Sequence, residues 1–324
     1  MRKIGATVAV AALAAVIVSP PPAAAFGIRI GPFHIGIPFY RHRHRDLYMH
    51  GNPNDLARPG AAPGAASALL YPSAALPGIL QNVFFPTASS VWPFGYQAIF
   101  TTAFAKAPPA GDPRLCQPAV NPDAIVGRMR TEVTPTDAQI ELLQRLGGAL
   151  GAASGFLAKS CANEIPAQPV ARLQLMESQI EELTMAIDIV RQPLQDFEQS
   201  LSADQRAHLA AAAGQQTAAG CDSSQSAIDG SIDQISQTVL PTDAQRDALN
   251  NVRQVFAKAA SDLDVHCPVN VPPTALGRLE AVEARLDATW RAALSIQVAL
   301  AGFETKLSDA QKSRFEAMTF VAAR

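Results

Sequence analysis

The most regular pattern in the chain is an apolar stripe. Leu173, Met176, Ile180, Leu183, Ile187, Val190, Leu194, Phe197 and Leu201 follow one another at alternating steps of three and four residues. That spacing puts them on one face of a long helix and marks the seat of an antiparallel or coiled-coil neighbour. Upstream, Ile125, Val126 and Met129 predict a short helix over Pro122 to Val133, and Leu143, Leu146, Leu150, Ala153 and Leu157 predict a second over Thr136 to Ser160. A proline-bearing loop, Cys161 to Pro169, turns the chain, and a fourth helix runs from Ser202 to about Ala213.

The plan is then written again. Pro135-Thr136-Asp137-Ala138-Gln139 recurs as Pro241-Thr242-Asp243-Ala244-Gln245, 106 residues on. At the same offset Cys161 matches Cys267, Arg172-Leu173 matches Arg278-Leu279, and Glu177 matches Glu283. Phe197-Glu198 matches Phe303-Glu304, Leu201-Ser202 matches Leu307-Ser308, and Gln205 matches Gln311. A fixed internal period decides architecture before propensity does. Copy two carries Leu249, Val252, Phe256 and Leu263 on its second helix and Leu279, Val282, Leu286, Ile296, Leu300 and Phe303 on its third. Pro193 interrupts the long helix of copy one only, where Ala299 stands in copy two, so a kink is expected near Pro193. The fold class is all-α: two tandem four-helix modules, residues 113–213 and 221–324, joined by a linker at 214–220.

Residues 26–112 are different. They hold all four Tyr, eight of the fourteen Phe and one of the two Trp, so this is a distinct aromatic, Gly- and Pro-rich region, partly irregular. Its 67–106 stretch carries enough Leu, Ile and Phe for one or two short helices. Residues 1–25 read as a signal peptide: Arg2-Lys3, an apolar run from Ile4 to Val18, and Ala23-Ala24-Ala25 before Phe26. Fifteen apolar residues fall short of the about 20 needed to span a bilayer, so periplasmic export is expected.

Export gives the four cysteines, Cys116, Cys161, Cys221 and Cys267, an oxidising setting in which disulfides form. Three pairings are possible, and the repeat favours Cys116–Cys161 and Cys221–Cys267, each stapling the open end of a helical hairpin. The net charge of −2 hides a slight acidity of both modules, with eight basic and twelve acidic residues over 114–213 and ten and thirteen over 221–324. Nucleic-acid binding needs a basic footprint that neither module has.

The pattern Ser/Thr-x-x-Gln opens four helices, at Thr136/Gln139, Ser202/Gln205, Thr242/Gln245 and Ser308/Gln311. It is a capping box: the hydroxyl accepts from the amide three residues on, and the Gln side chain reaches back to the cap residue's own amide. Leu201-Ser202-Ala203-Asp204-Gln205 and Leu307-Ser308-Asp309-Ala310-Gln311 resemble the LTxxQ signature of the Spy/CpxP family of periplasmic proteins. The resemblance covers about 113–318. It implies an all-α protein that holds unfolded or misfolded envelope proteins without ATP or any cofactor, in a cradle that relatives form from two chains. Two modules in one chain imply a monomer that forms this pseudo-dimer in cis. The client-contact residues it suggests are Arg172, Met176, Arg278, Arg285 and Trp290, expected on exposed flanks of the third helices.

His42, His44 and His50 are weak candidates for binding Zn or Cu, and Arg41, Arg43 and Arg45 among them suit an anionic envelope surface better. A metal- or stress-responsive periplasmic accessory or sensor protein, or a structural envelope scaffold, is the alternative function. No Gly-x-Ser-x-Gly, His-Glu-x-x-His, Cys-x-x-Cys or nucleotide loop is present, so no enzyme is expected. Gly147, Gly148, Gly151 and Gly155 in the second helix of copy one allow close helix packing.

Overall fold

The computed structural model describes residues 69–86, 95–104, 116–162, 164–213, 225–267 and 271–318, which fall within the compact unit His50–Arg324. Among them are ten helices and no strand: α1 (Pro72–Phe84), α2 (Tyr96–Phe104), α3 (Pro122–Val133), α4 (Asp137–Ser160), α5 (Pro169–Ser200), α6 (Ala203–Ala213), α7 (Gln225–Val239), α8 (Asp243–Val265), α9 (Ala275–Glu304) and α10 (Asp309–Glu316). Four helices make each module, as the periodicity predicts. The aromatic region supplies the two short helices α1 and α2. The signal-peptide residues, the histidine and arginine candidates at 41–50, and Cys221 lie outside the described residues.

The helix starts are chemically determined. Asn121 accepts from Ala124 N at 3.3 Å, with Pro122 in the first turn of α3. Capping boxes open α4, α8 and α10. The same exchange opens α6, with Gln205 N donating to Ser202 Oγ at 3.2 Å and Ser202 N donating to Gln205 Oε1 at 2.9 Å. Among the described residues, Thr134 at φ 47° and Leu240 at φ 54° are left-handed without being glycine, and they occupy equivalent positions. Each ends a first helix just before the repeated proline. Backbone bonds close both helix ends, Thr134 N donating to Arg130 O at 3.1 Å and Leu240 N to Ser236 O at 2.9 Å.

Within a module those capping glutamines meet. Gln139 Nε2 donates to Gln205 Oε1 at 3.0 Å, and Gln205 Nε2 donates to Gln139 Oε1 at 2.9 Å. Gln139 Nε2 also donates to Ser200 O at 2.8 Å, and Gln205 Nε2 to Val133 O at 3.1 Å. Gln245 and Gln311 repeat the arrangement at 3.0 and 2.9 Å, with Gln245 Nε2 on Lys306 O and Gln311 Nε2 on Leu240 O. The motif therefore fixes the start of the second helix to the end of the third and the start of the fourth.

The apolar stripe is core, as the spacing predicts: Leu173, Leu194, Phe197 and their partners on α5 are at most 2 % exposed, and so are the main seam residues of α9. α5 passes through Pro193 without ending. The disulfide Cys116–Cys161, with Cα atoms 5.4 Å apart, ties the segment before α3 to the end of α4. Ser154 Oγ holds the same segment by accepting from Val120 N at 3.2 Å. Cys267 is also disulfide-bonded. Close packing at the glycines is real only in part: a Cβ at Gly147 would meet Val126 at 3.1 Å and one at Gly151 would meet Pro122 at 3.7 Å, while Gly148 and Gly155 face open space.

Candidate functional site

The two long helices, 32 and 30 residues, join the modules. They run antiparallel, as three contacts in reverse register show. Glu198 Oε1 accepts from Ala275 N at 2.7 Å and Leu276 N at 3.2 Å, which caps the start of α9. Arg191 pairs with Glu283, and Trp290 Nε1 donates to Glu181 Oε1 at 3.1 Å. Duplication makes the seam nearly symmetric, and its departures are informative. Glu283 has Arg191, but the position equivalent to Arg191 in the second module is Gln297. Glu177 and Glu283 each have a buried oxygen without a hydrogen-bond partner, but Glu283 has Arg191 on its other oxygen and Glu177 has no such arginine. Burial, and then the neighbouring Glu181 carboxylate, push the Glu177 carboxyl up to about 7.

On this pair of helices lie α1 and α2. Neither contains a charged residue. Leu76, Ile79, Leu80, Val83 and Phe84 on α1 are buried, and so are Tyr96, Ile99, Phe100, Ala103 and Phe104 on α2. These sets match at an offset of 20 residues, ending in Val83-Phe84 and Ala103-Phe104. Equivalent arginines hold equivalent carbonyls. Arg172 Nη1 donates to Ala103 O at 3.3 Å, and Arg278 Nε donates to Val83 O at 2.6 Å. A cation at a helix C-terminus answers the unpaired carbonyls there. Both guanidiniums also clamp the loop before their own helix, Arg172 on Pro166 O and Ala167 O, Arg278 on Pro272 O and Pro273 O. Burial lowers both arginine pKa values, that of Arg278 to about 10, against the raising effect of Glu198. Arg278 therefore remains charged at neutral pH. On the second module, Phe256 meets Tyr96 and Phe100 with ring centroids 5.9 and 6.0 Å apart.

The expected exposed client-contact flank is thus corrected. Arg172, Met176, Arg278 and Arg285 are 7, 0, 3 and 0 % exposed, and Trp290 is half-buried at the α5–α9 seam. The arginines point inward because backbone carbonyls await them. Arg285 donates to Leu263 O at the end of α8, with Nε and Nη2 left unpartnered. The hollow expected between facing modules is filled by direct α5–α9 packing and by α1 and α2 from the chain itself. Sequence reasoning missed Phe84 and Phe104 as the buried ends of α1 and α2, the latter edge-on to Phe315, and Phe256 as the ring that meets Tyr96 and Phe100. The signal was present in the repeated Ile-x-x-x-x-Phe of residues 79–84 and 99–104.

Among the described residues, concave features include two that remain open. One, about 460 Å³, lies between α8 and α9 beside the exposed Val298. The other, about 270 Å³, lies where α1, α3, α6 and the start of α9 meet. Among the described residues no cluster of three or more His, Cys, Asp or Glu could hold a metal ion, and no helix is long and apolar enough to cross a membrane.

These features define a class: tandem helical modules, each locked by a pair of reciprocal glutamine caps. The chain matches the LTXXQ motif family protein profile twice, over residues 124–213 and 227–319. The two matches cover more than half of its length, and the protein belongs to the LTXXQ motif family. Comparison with curated proteins finds no match, and comparison with solved structures finds none.

Proposed function

We propose that this protein is a periplasmic holding chaperone that binds unfolded or misfolded envelope proteins without ATP and performs no catalysis. Family membership over both modules supports the reading, and the disulfide suits an oxidising compartment. The observation that carries it is how the modules hold α1 and α2. They grip two uncharged helices, α2 rich in aromatics, by apolar contact, and Arg172 and Arg278 bind their main-chain carbonyls while Arg128 stacks on the Phe85 ring at the end of α1. Such a grip recognises apolar polypeptide with little regard to its sequence, which is what a holdase requires.

The test uses the full mature chain at a near-equimolar ratio with a reduced, aggregating client and no nucleotide. Light scattering is expected to rise more slowly. An unchanged time course at tenfold excess would sink the reading.

A further inference from the structure

Duplication leaves one position conspicuously unfilled. Leu209 on α6 and Phe315 on α10 are equivalent, 106 residues apart. Phe315 is fully buried, edge-on to Phe104 at 5.9 Å and to Phe303 at 6.1 Å. In the first module the corresponding neighbours are Phe84 and Phe197, but Leu209 offers no ring and stays only half-buried. What remains is the cavity of about 270 Å³ lined by Phe84, Met129, Leu201, Leu209, Glu198 and Arg278. An apolar cavity of roughly 150 Å³ suffices to take up benzene.

The polar groups at this cavity are already engaged by the protein's own backbone. Glu198 Oε1 accepts from two amides of α9. Arg278 is spent on the carbonyls of Val83, Pro272 and Pro273. Arg206 Nη1 donates to Leu201 O at 2.6 Å. Arg278 stays fixed on its carbonyls with Glu198 beside it, whereas an uncharged ring finds Phe84, the counterpart of the Phe104 that Phe315 meets in the other module. Shape and chemistry thus agree on the missing group.

We propose that this cavity is a receptor for one uncharged aromatic ring, supplied by a phenylalanine side chain of a bound client; the source of the ring rests on the holding function, the ring site does not. The probe is N-acetyl-phenylalanine amide, titrated into the full mature chain while the methyl signals of Met129, Leu201 and Leu209 are followed by NMR. Saturable shifts confined to these methyls are expected. Leu209→Phe supplies the ring in cis and is expected to weaken probe binding at least tenfold without lowering Tm, while Leu209→Ala, which keeps the cavity open, retains it. Absence of saturable binding to the native protein overturns the ring site, and so does unaltered binding to Leu209→Phe. In the aggregation assay Leu209→Phe is expected to hold the client at least twofold less well. Full holding by a variant that no longer binds the probe overturns the client as the source of the ring. A native protein that binds the probe yet fails to slow aggregation would instead remove the holding function and leave the ring site standing.

Discussion

Gln139 and Gln205 each donate an amide hydrogen bond to the other's carbonyl oxygen, at 3.0 and 2.9 Å, while both oxygens also cap a helix start. Each side chain is a donor and an acceptor twice over, so removing one orphans groups on three segments. Gln205→Ala is expected to cost about 2–3 kcal/mol, the sum of a lost cap and the buried polar groups left unpaired. A double-mutant cycle with Gln139→Ala should return a coupling of about 1 kcal/mol or more, since the two act as a unit. Urea melts of the four proteins measure it, and simple additivity would contradict the reciprocal pair. Gln245 and Gln311 should behave alike.

Much of this was legible in advance. The strict stripe from Leu173 to Leu201 forces a long buried-face helix, and the Ser/Thr-x-x-Gln spacing forces the starts of its neighbours α4 and α6, because both depend on residues a turn or a few turns apart. The repeat then doubled the inference. The inward turn of Arg172 and Arg278 was not legible. Their partners are carbonyls 69 and 195 residues away, and a carbonyl carries no sequence signature. A charged residue beside an apolar stripe suggests an exposed flank, and the carbonyls that turn these two inward lie outside their own helix. The place of α1 and α2 was hidden for the same reason, since an apolar helix says that it is buried but not against what.

The two arginines should prove separable. Arg278→Ala leaves the carbonyls of Val83, Pro272 and Pro273 without their donor, a loss of roughly 2–4 kcal/mol for buried charge-assisted bonds. Amide exchange should accelerate in α1 more than in α2, and Arg172→Ala should reverse the order. Lysine at either position recovers only part of the loss, because a point charge cannot span several acceptors as the guanidinium fork does. Uniform exchange across both helices in either variant would mean that the arginines do not anchor them.

Leu240 combines a left-handed φ of 54° with 64 % exposure. A non-glycine residue there costs about 1–2 kcal/mol, partly offset by the entropy glycine loses on folding. Leu240→Gly should therefore stabilise by about 0.5–1 kcal/mol and remove an exposed apolar side chain as well. Thr134, its equivalent, offers a matched control. A Tm that falls in Leu240→Gly would show that the leucine makes compensating contacts.

Glu177 should make stability depend on pH. Its folded pKa of about 7 lies above the roughly 4.3 of an unfolded glutamate. The folded state thus holds the proton more tightly. Any stabilising contribution is complete below about pH 4, is lost as pH rises toward 7, and is gone above it. Because the side chain is only partly buried, solvent screening reduces the loss to about 1–2 kcal/mol. Glu177→Gln should lessen this slope, the rest of which belongs to Glu182, Glu198 and Glu283, whose carboxyls burial also raises, and should raise stability at pH 8. Gln297→Arg offers the sharper test, since it restores the cation that Arg191 provides opposite Glu283. It should return the Glu177 carboxyl toward the ordinary range and lessen the slope while the acid stays in place. Denaturation midpoints between pH 4 and 8 decide the matter: a native profile already flat there, or one that Gln297→Arg leaves unaltered, would show that Glu177 is not the group left unmatched at the seam.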